Sequence, residues 1–113
     1  MIFGKEVRVF MKGQAKDSYL SLKSRNDKEA QSLLNSIERV TEILKSNPQH
    51  GNPIPKRLIP KSLVKEYIQN LYRVELSNFW RMLYTIEGTQ IEILVFVLKI
   101  MGHKEYDKLF GYK

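Results

Sequence analysis

Val7, Val9 and Met11 alternate with Arg8, Phe10 and Lys12, and this period of two predicts a first strand that Gly13 ends. From Gln14 to about Lys23 the period changes. Ala15, Tyr19 and Leu22 fall on one side of a short helix. A longer helix follows, in which Ala30, Leu33, Leu34, Ile37, Val40 and Leu44 keep helical spacing. Asn26 is its expected N-cap, with Glu29 three residues on completing a capping box. The helix ends at Ser46-Asn47, and Pro48 stops it. Gly51, Pro53, Pro55 and Pro60 then forbid a regular helix or a central strand between His50 and Ser62, which predicts a long loop.

Three more strands are expected over Leu71–Leu76, Phe79–Glu87 and Gln90–Ile100. Tyr72, Val74 and Leu76 share one face with Trp80, Met82, Tyr84 and Ile86, and with Ile91, Ile93, Val95 and Val97. An antiparallel hairpin places paired residues on the same face. A two-residue Gly88-Thr89 turn satisfies this by pairing Ile86 with Ile91 and Tyr84 with Ile93. A three-residue Ser77–Phe79 turn satisfies it by pairing Leu76 with Trp80. The opposite face then collects Arg73, Glu75 and Arg81, with Glu75 across from Arg81 and Phe96 on the other side of Arg81. Leu83, Leu94 and Leu98 lie there too, so something is expected to cover part of this mixed face. After Gly102, a last helical piece carries His103, Tyr106, Asp107 and Phe110, with His103 and Tyr106 projecting to one side, and ends at Gly111.

These 113 residues suit one domain, 1–113. Nineteen Lys and Arg against twelve Asp and Glu give a formal charge of +7, which favours a polyanionic partner. Cysteine is absent and histidine occurs twice. Disulfides and thiolate metal sites are therefore excluded, and a His-based metal cluster is not expected. No cofactor is implied. The opening residues lack the apolar stretch of a signal peptide, and the run Ile93–Leu98 is far too short to span a bilayer. A cytoplasmic protein with no membrane partner is the expectation.

Cleaving RNA without a metal needs a base for the ribose 2′-hydroxyl, cationic donors for the phosphate and an acid for the departing 5′-oxygen. Histidine suits the proton transfers and arginine the phosphate. An aromatic ring can stack on a base. His103, Tyr106, Arg81 and Arg73 supply these types near one end of the sheet. Lys56, Arg57, Lys61 and Lys65 sit in or after the preceding loop.

The run LYRVELSNFWRMLYTIEG, the apolar strand after it and GHKEYDKLFGYK resemble the RelE/ParE toxin superfamily. So does Asn47-Pro48-Gln49-His50-Gly51 followed by Lys56, which is similar to an NPxxGxxxxK loop. The resemblance implies an α+β fold: a small antiparallel sheet of about four strands backed by two N-terminal helices, with a short C-terminal helix. It further implies a type II toxin, RelE-like, that cuts mRNA on the ribosome and is neutralised by a short, acidic, helical cognate antitoxin. ParE-like members poison DNA gyrase instead, and a degenerate relative would bind RNA or a partner without cutting. By the same resemblance, His103, Arg81, Arg73 and Tyr106 are the catalytic candidates. Lys56, Arg57, Lys61, Lys65 and Lys104 would grip RNA, and Phe96 and Leu98 would contact the antitoxin. Glu75 stands where some members carry a second lysine, and Phe110 where some place a catalytic tyrosine.

Overall fold

The computed structural model describes residues 4–111. Strand β1 (Glu6–Met11) leads into helices α1 (Gly13–Lys23) and α2 (Lys28–Ser46). A two-residue strand β2 (Asn52–Pro53), a 3-10 turn at Lys56–Leu58 and a one-turn helix α3 (Lys61–Val64) follow. Strands β3 (Tyr72–Glu75), β4 (Arg81–Gly88) and β5 (Glu92–Met101) then precede the final helix α4 (His103–Phe110). The sheet order is β1-β5-β4-β3-β2. The expected α+β layout stands, with two refinements. The sheet has five strands rather than about four, and β1 runs parallel to β5. The stretch from His50 to Ser62 is not a plain loop either. Its prolines still shape it, since Pro53 sits on an edge strand, where a missing N–H costs least.

Each face of the sheet carries a core. On one, α1 and α2 bury Leu22, Leu33, Ile37 and Leu44 against Met82, Tyr84, Val95, Val97 and Ile100. Trp80 packs at the margin of this core. On the other, Ile59, Leu63 and Tyr106 pack on Leu71, Leu83 and Met101. The part of the mixed face around Leu83 and Leu98 is thus covered from within the chain, by α3, its flanking turns and α4.

The α2 cap falls one residue later than expected. The Asp27 carboxylate, not Asn26, accepts from the Ala30 N–H. A fork of two bonds from Arg25, at 2.8 and 2.7 Å, holds that carboxylate in place. This pairing depresses the Asp27 pKa, and a fixed negative charge suits a helix N-terminus better than a neutral amide does.

The β4–β5 register also differs. Ile86 faces Val95 rather than Ile91, and Tyr84 faces Val97 rather than Ile93. The reason is Thr89, whose hydroxyl accepts from the N–H groups of Ile91 and Glu92 while its own N–H donates to the Glu92 carbonyl. This side-chain-closed turn replaces the two-residue one. Because the slip is even, the face assignments survive it. A bulge at Leu98, between the pairs Tyr84–Val97 and Leu83–Lys99, then shifts parity so that Ile100 enters the core opposite Met82. In consequence Arg81 faces Met101, not Phe96. The Gln14 amide clamps the strand just past the bulge, donating to the Ile100 carbonyl and accepting from its N–H, each at 2.9 Å. The Ser77–Phe79 turn has the expected three residues, with Leu76 N–H bonded to the Trp80 carbonyl and Glu75 opposite Arg81.

The loop after α2 is fastened by Tyr84. Its buried hydroxyl donates to the Pro48 carbonyl at 2.8 Å and accepts from the Gly51 N–H at 2.9 Å. A Cβ at Gly51 would lie 2.8 Å from that hydroxyl and 2.9 Å from the Arg73 carbonyl, so the close approach requires glycine.

Burial, with the neighbouring Tyr72, pushes the Tyr84 phenol up to about 12, against the lowering effect of the Gly51 N–H. The folded state therefore holds this proton more tightly than the unfolded chain, where it leaves near pH 10. The contribution to stability is complete below about pH 10 and is lost as pH rises through about 12. Tyr84→Phe strands two buried backbone groups and lowers stability by about 1–3 kcal/mol at neutral pH. Urea titrations at neutral pH and across the alkaline range check both points, and the variant lacks this component of the alkaline loss.

Candidate functional site

Strands β3 and β5 end, and β4 begins, at the same end of the sheet, and this is where the candidate residues gather. Arg73 on β3 and Arg81 on β4 project to the outer face, with Glu75 between them along β3 and opposite Arg81. Because Arg81 faces Met101, helix α4 begins two residues after its partner. The second turn of α4 brings Tyr106 beneath both arginines. The Arg73 Nη1 donates to the Tyr106 hydroxyl at 3.3 Å. The Cζ atoms of Arg73 and Arg81 lie 5.9 and 5.6 Å from the Tyr106 ring centroid. The negative ring face offsets part of the repulsion between the two cations.

Arg81 is held further by its Nη1, which donates to the Phe79 carbonyl at 2.8 Å. Its Nε is buried and makes no hydrogen bond among the described residues. The Glu75 carboxylate lies 3.9 Å away, an ion pair too long to be a hydrogen bond.

His103 opens α4 and is exposed. Its ring makes a T-shaped contact with the Phe79 ring, with centroids 6.1 Å apart and planes at 73°. Phe79 therefore joins the two halves of the site, since its carbonyl binds Arg81 and its ring touches His103. His103 and Tyr106 do not project alike, because Tyr106 is buried and His103 is open.

Tyr106 was expected to stack or orient substrate. Its ring is 4% exposed and carries Phe110 at 4.6 Å as well as the two guanidiniums, so it supports the arginines instead of offering an open face. Phe110 packs there as a half-buried side chain. The open ring at this end is Phe79, 74% exposed. Sequence reasoning passed over it as a turn residue, and its one signal was Asn78, a residue that tolerates the left-handed turn conformation.

A cleft of about 150 Å³ adjoins Arg73, lined by Asn52, Ile54, Leu58, Arg73, Tyr106 and Phe110 among others. Lys56 and Arg57 are exposed in the 3-10 turn beside it, Lys61 and Lys65 are exposed on and just after α3, and Lys104 is exposed next to His103. Phe96 and Leu98 lie away from the cleft. Phe96 stacks on Phe10 at 5.7 Å under the Lys12 ammonium at 4.1 Å. Leu98 is half-buried against the second core and lines a separate cleft with Lys12, Leu63 and Lys99. Among the described residues, no helix is long and apolar enough to cross a membrane.

No protein-family model matches the chain, and no curated protein does. A solved structure does: a YoeB/ParE toxin from Agrobacterium tumefaciens superposes with a TM-score of 0.60 at 14% identity, covering 85% of this chain and 98% of that one. Two basic strand ends, a buried phenol and an open imidazole are thus carried on the fold of a YoeB/ParE toxin.

Proposed function

We propose that this protein is a RelE-like toxin of a type II toxin–antitoxin system, a ribosome-dependent endoribonuclease that cuts mRNA and stops translation. The observation that carries this reading is the gathering of two guanidiniums on the Tyr106 phenol, at the same sheet end as an exposed histidine. Guanidinium forks suit phosphate oxygens, and two of them suit the additional negative charge that grows on a phosphodiester under attack.

In the proposed reaction the ribose 2′-hydroxyl gives up its proton, its oxygen attacks the adjacent phosphorus, and the bond from phosphorus to the 5′-oxygen breaks. The departing 5′-oxygen takes a proton. The products are a 2′,3′-cyclic phosphate and a 5′-hydroxyl. His103 serves one of the two proton transfers. Arg81 and Arg73 bind the phosphate and the negative charge that grows on it, and Tyr106 keeps their spacing. Lys56, Arg57, Lys61, Lys65 and Lys104 hold messenger or ribosomal backbone, so affinity falls steeply with salt.

The cognate antitoxin, short, acidic and helical in this reading, lays its apolar side on Phe96, Phe10 and Leu98 and its carboxylates on Lys12 and Arg8. Phe96→Glu then abolishes co-purification with the antitoxin, and retention of the complex counts against this surface.

Primer extension on messenger from a translating extract tests the activity. Codon-spaced cuts are expected with the unaltered protein. His103→Ala and Arg81→Ala each reduce them by about 100-fold or more, while far-ultraviolet circular dichroism stays unchanged. Intact messenger together with blocked DNA supercoiling assigns the protein to gyrase inhibition of the ParE kind. No effect on either target leaves a binding protein without catalysis.

A further inference from the structure

Phe79 holds a conformation that its residue type resists. Its φ is 62°, directly after Asn78 at 56°. A bulky side chain is a genuine outlier in this left-handed region, and such strain persists only where the surroundings impose it. Here they do. The buried Ser36 hydroxyl accepts from the Ser77 N–H, the Ser32 and Ser77 hydroxyls are 3.1 Å apart, and Trp80 N–H closes the turn on the Ser77 carbonyl. Helix α2 thus grips the turn from behind. The result is a phenyl ring on an anchored turn, 74% exposed, with the His103 imidazole in T-shaped contact with it. Its own carbonyl sits on the Arg81 guanidinium. Packing explains none of this exposure, and glycine would satisfy the backbone more easily.

We propose that the Phe79 ring, braced by His103, is the stacking platform for the nucleobase next to the phosphate that Arg81 binds. The ligand class is single-stranded RNA, and the inference rests on the nuclease reading above. Stacking is tolerant of base identity, because every base has a π-face. The ring therefore fixes where the backbone lies relative to Arg81 and His103 more than which sequence is chosen. Tyr67 provides an internal comparison. It is also at positive φ, 64°, and 89% exposed. It borders a surface formed with Asn70, Glu87 and Gly88, at the opposite end of β4 from Arg81.

The test is a cycle between ring and base. The probe is a short RNA, 2′-O-methylated at the cleaved nucleotide, with 2-aminopurine or an abasic site beside it, titrated at low salt. The unaltered protein quenches 2-aminopurine. Phe79→Gly loses the quench and binds about 10- to 100-fold more weakly, while its melting temperature is equal or higher, since glycine accepts the left-handed turn. On abasic RNA the two proteins bind alike. Phe79→Tyr keeps the quench, and Tyr67→Gly changes nothing. The proposal is overturned if the unaltered protein does not bind the probe. It is also overturned if Phe79→Gly binds the 2-aminopurine RNA normally, which would leave the ring to a protein partner. An equal loss on abasic RNA overturns it as well, because the residue would then act only by placing Arg81. Cutting in the translating extract is scored separately, so failure of the nuclease reading is distinguishable from failure of the platform.

Discussion

The pairing of Arg81 with Met101 is the constraint on which the candidate site depends. It fixes where β5 ends relative to β4, and so where α4 begins. With α4 starting two residues after Met101, His103 meets the Phe79 turn and Tyr106 passes under both guanidiniums. Two features set the pairing: the Thr89-closed turn at one end of the hairpin and the bulge at Leu98 near the other. The Gln14 amide then secures the strand just beyond the bulge. A residue in the first helix thereby helps to hold a site made by the last.

Cations brought this close repel, and the fold counters the repulsion locally. Tyr106 presents its hydroxyl to Arg73 and its ring to both arginines, and Glu75 stands near Arg81 without forming a hydrogen bond. The buried Nε of Arg81 keeps a donor that no described residue satisfies. In the nuclease account Glu75 occupies a place where a further cation would add to phosphate binding, and it tempers the charge of Arg81 between encounters. The loop that carries Lys56 and Arg57 is kept near the site by the Tyr84 hydroxyl and by the absence of a side chain at Gly51.

Much of this was legible in the sequence, for reasons that differ between elements. The faces of β3, β4 and β5 as far as Val97 followed from alternation alone, because an even slip in register cannot exchange them; the bulge at Leu98 reverses them beyond it. The pairing of Glu75 with Arg81 followed from the three-residue turn. The partner of Arg81 on β5 did not, since it required both a turn closed by a threonine side chain and a bulge that no glycine or proline announces. From the sequence, part of the mixed face was expected to be covered, with an antitoxin offered for the area around Phe96 and Leu98; around Leu83 and Leu98 the cover comes from α3, its flanking turns and α4. Tyr106 was placed on the correct helix, but its burial depends on how α4 lies against the sheet, which helical spacing does not specify. Phe79 escaped notice because a phenylalanine in a left-handed turn contradicts its own preference, and only the grip of α2 on that turn accounts for it.

The central claim is that one phosphate is met together by His103, Arg81 and Arg73. A cryo-EM structure of this protein on a translating ribosome, with messenger 2′-O-methylated at the codon in the decoding site, tests it most directly. The account predicts a single phosphodiester within hydrogen-bond distance of both guanidiniums, with the imidazole beside its 2′- or 5′-oxygen. Messenger running instead along the lysine-bearing loop, with His103 facing away from every phosphate, would contradict it.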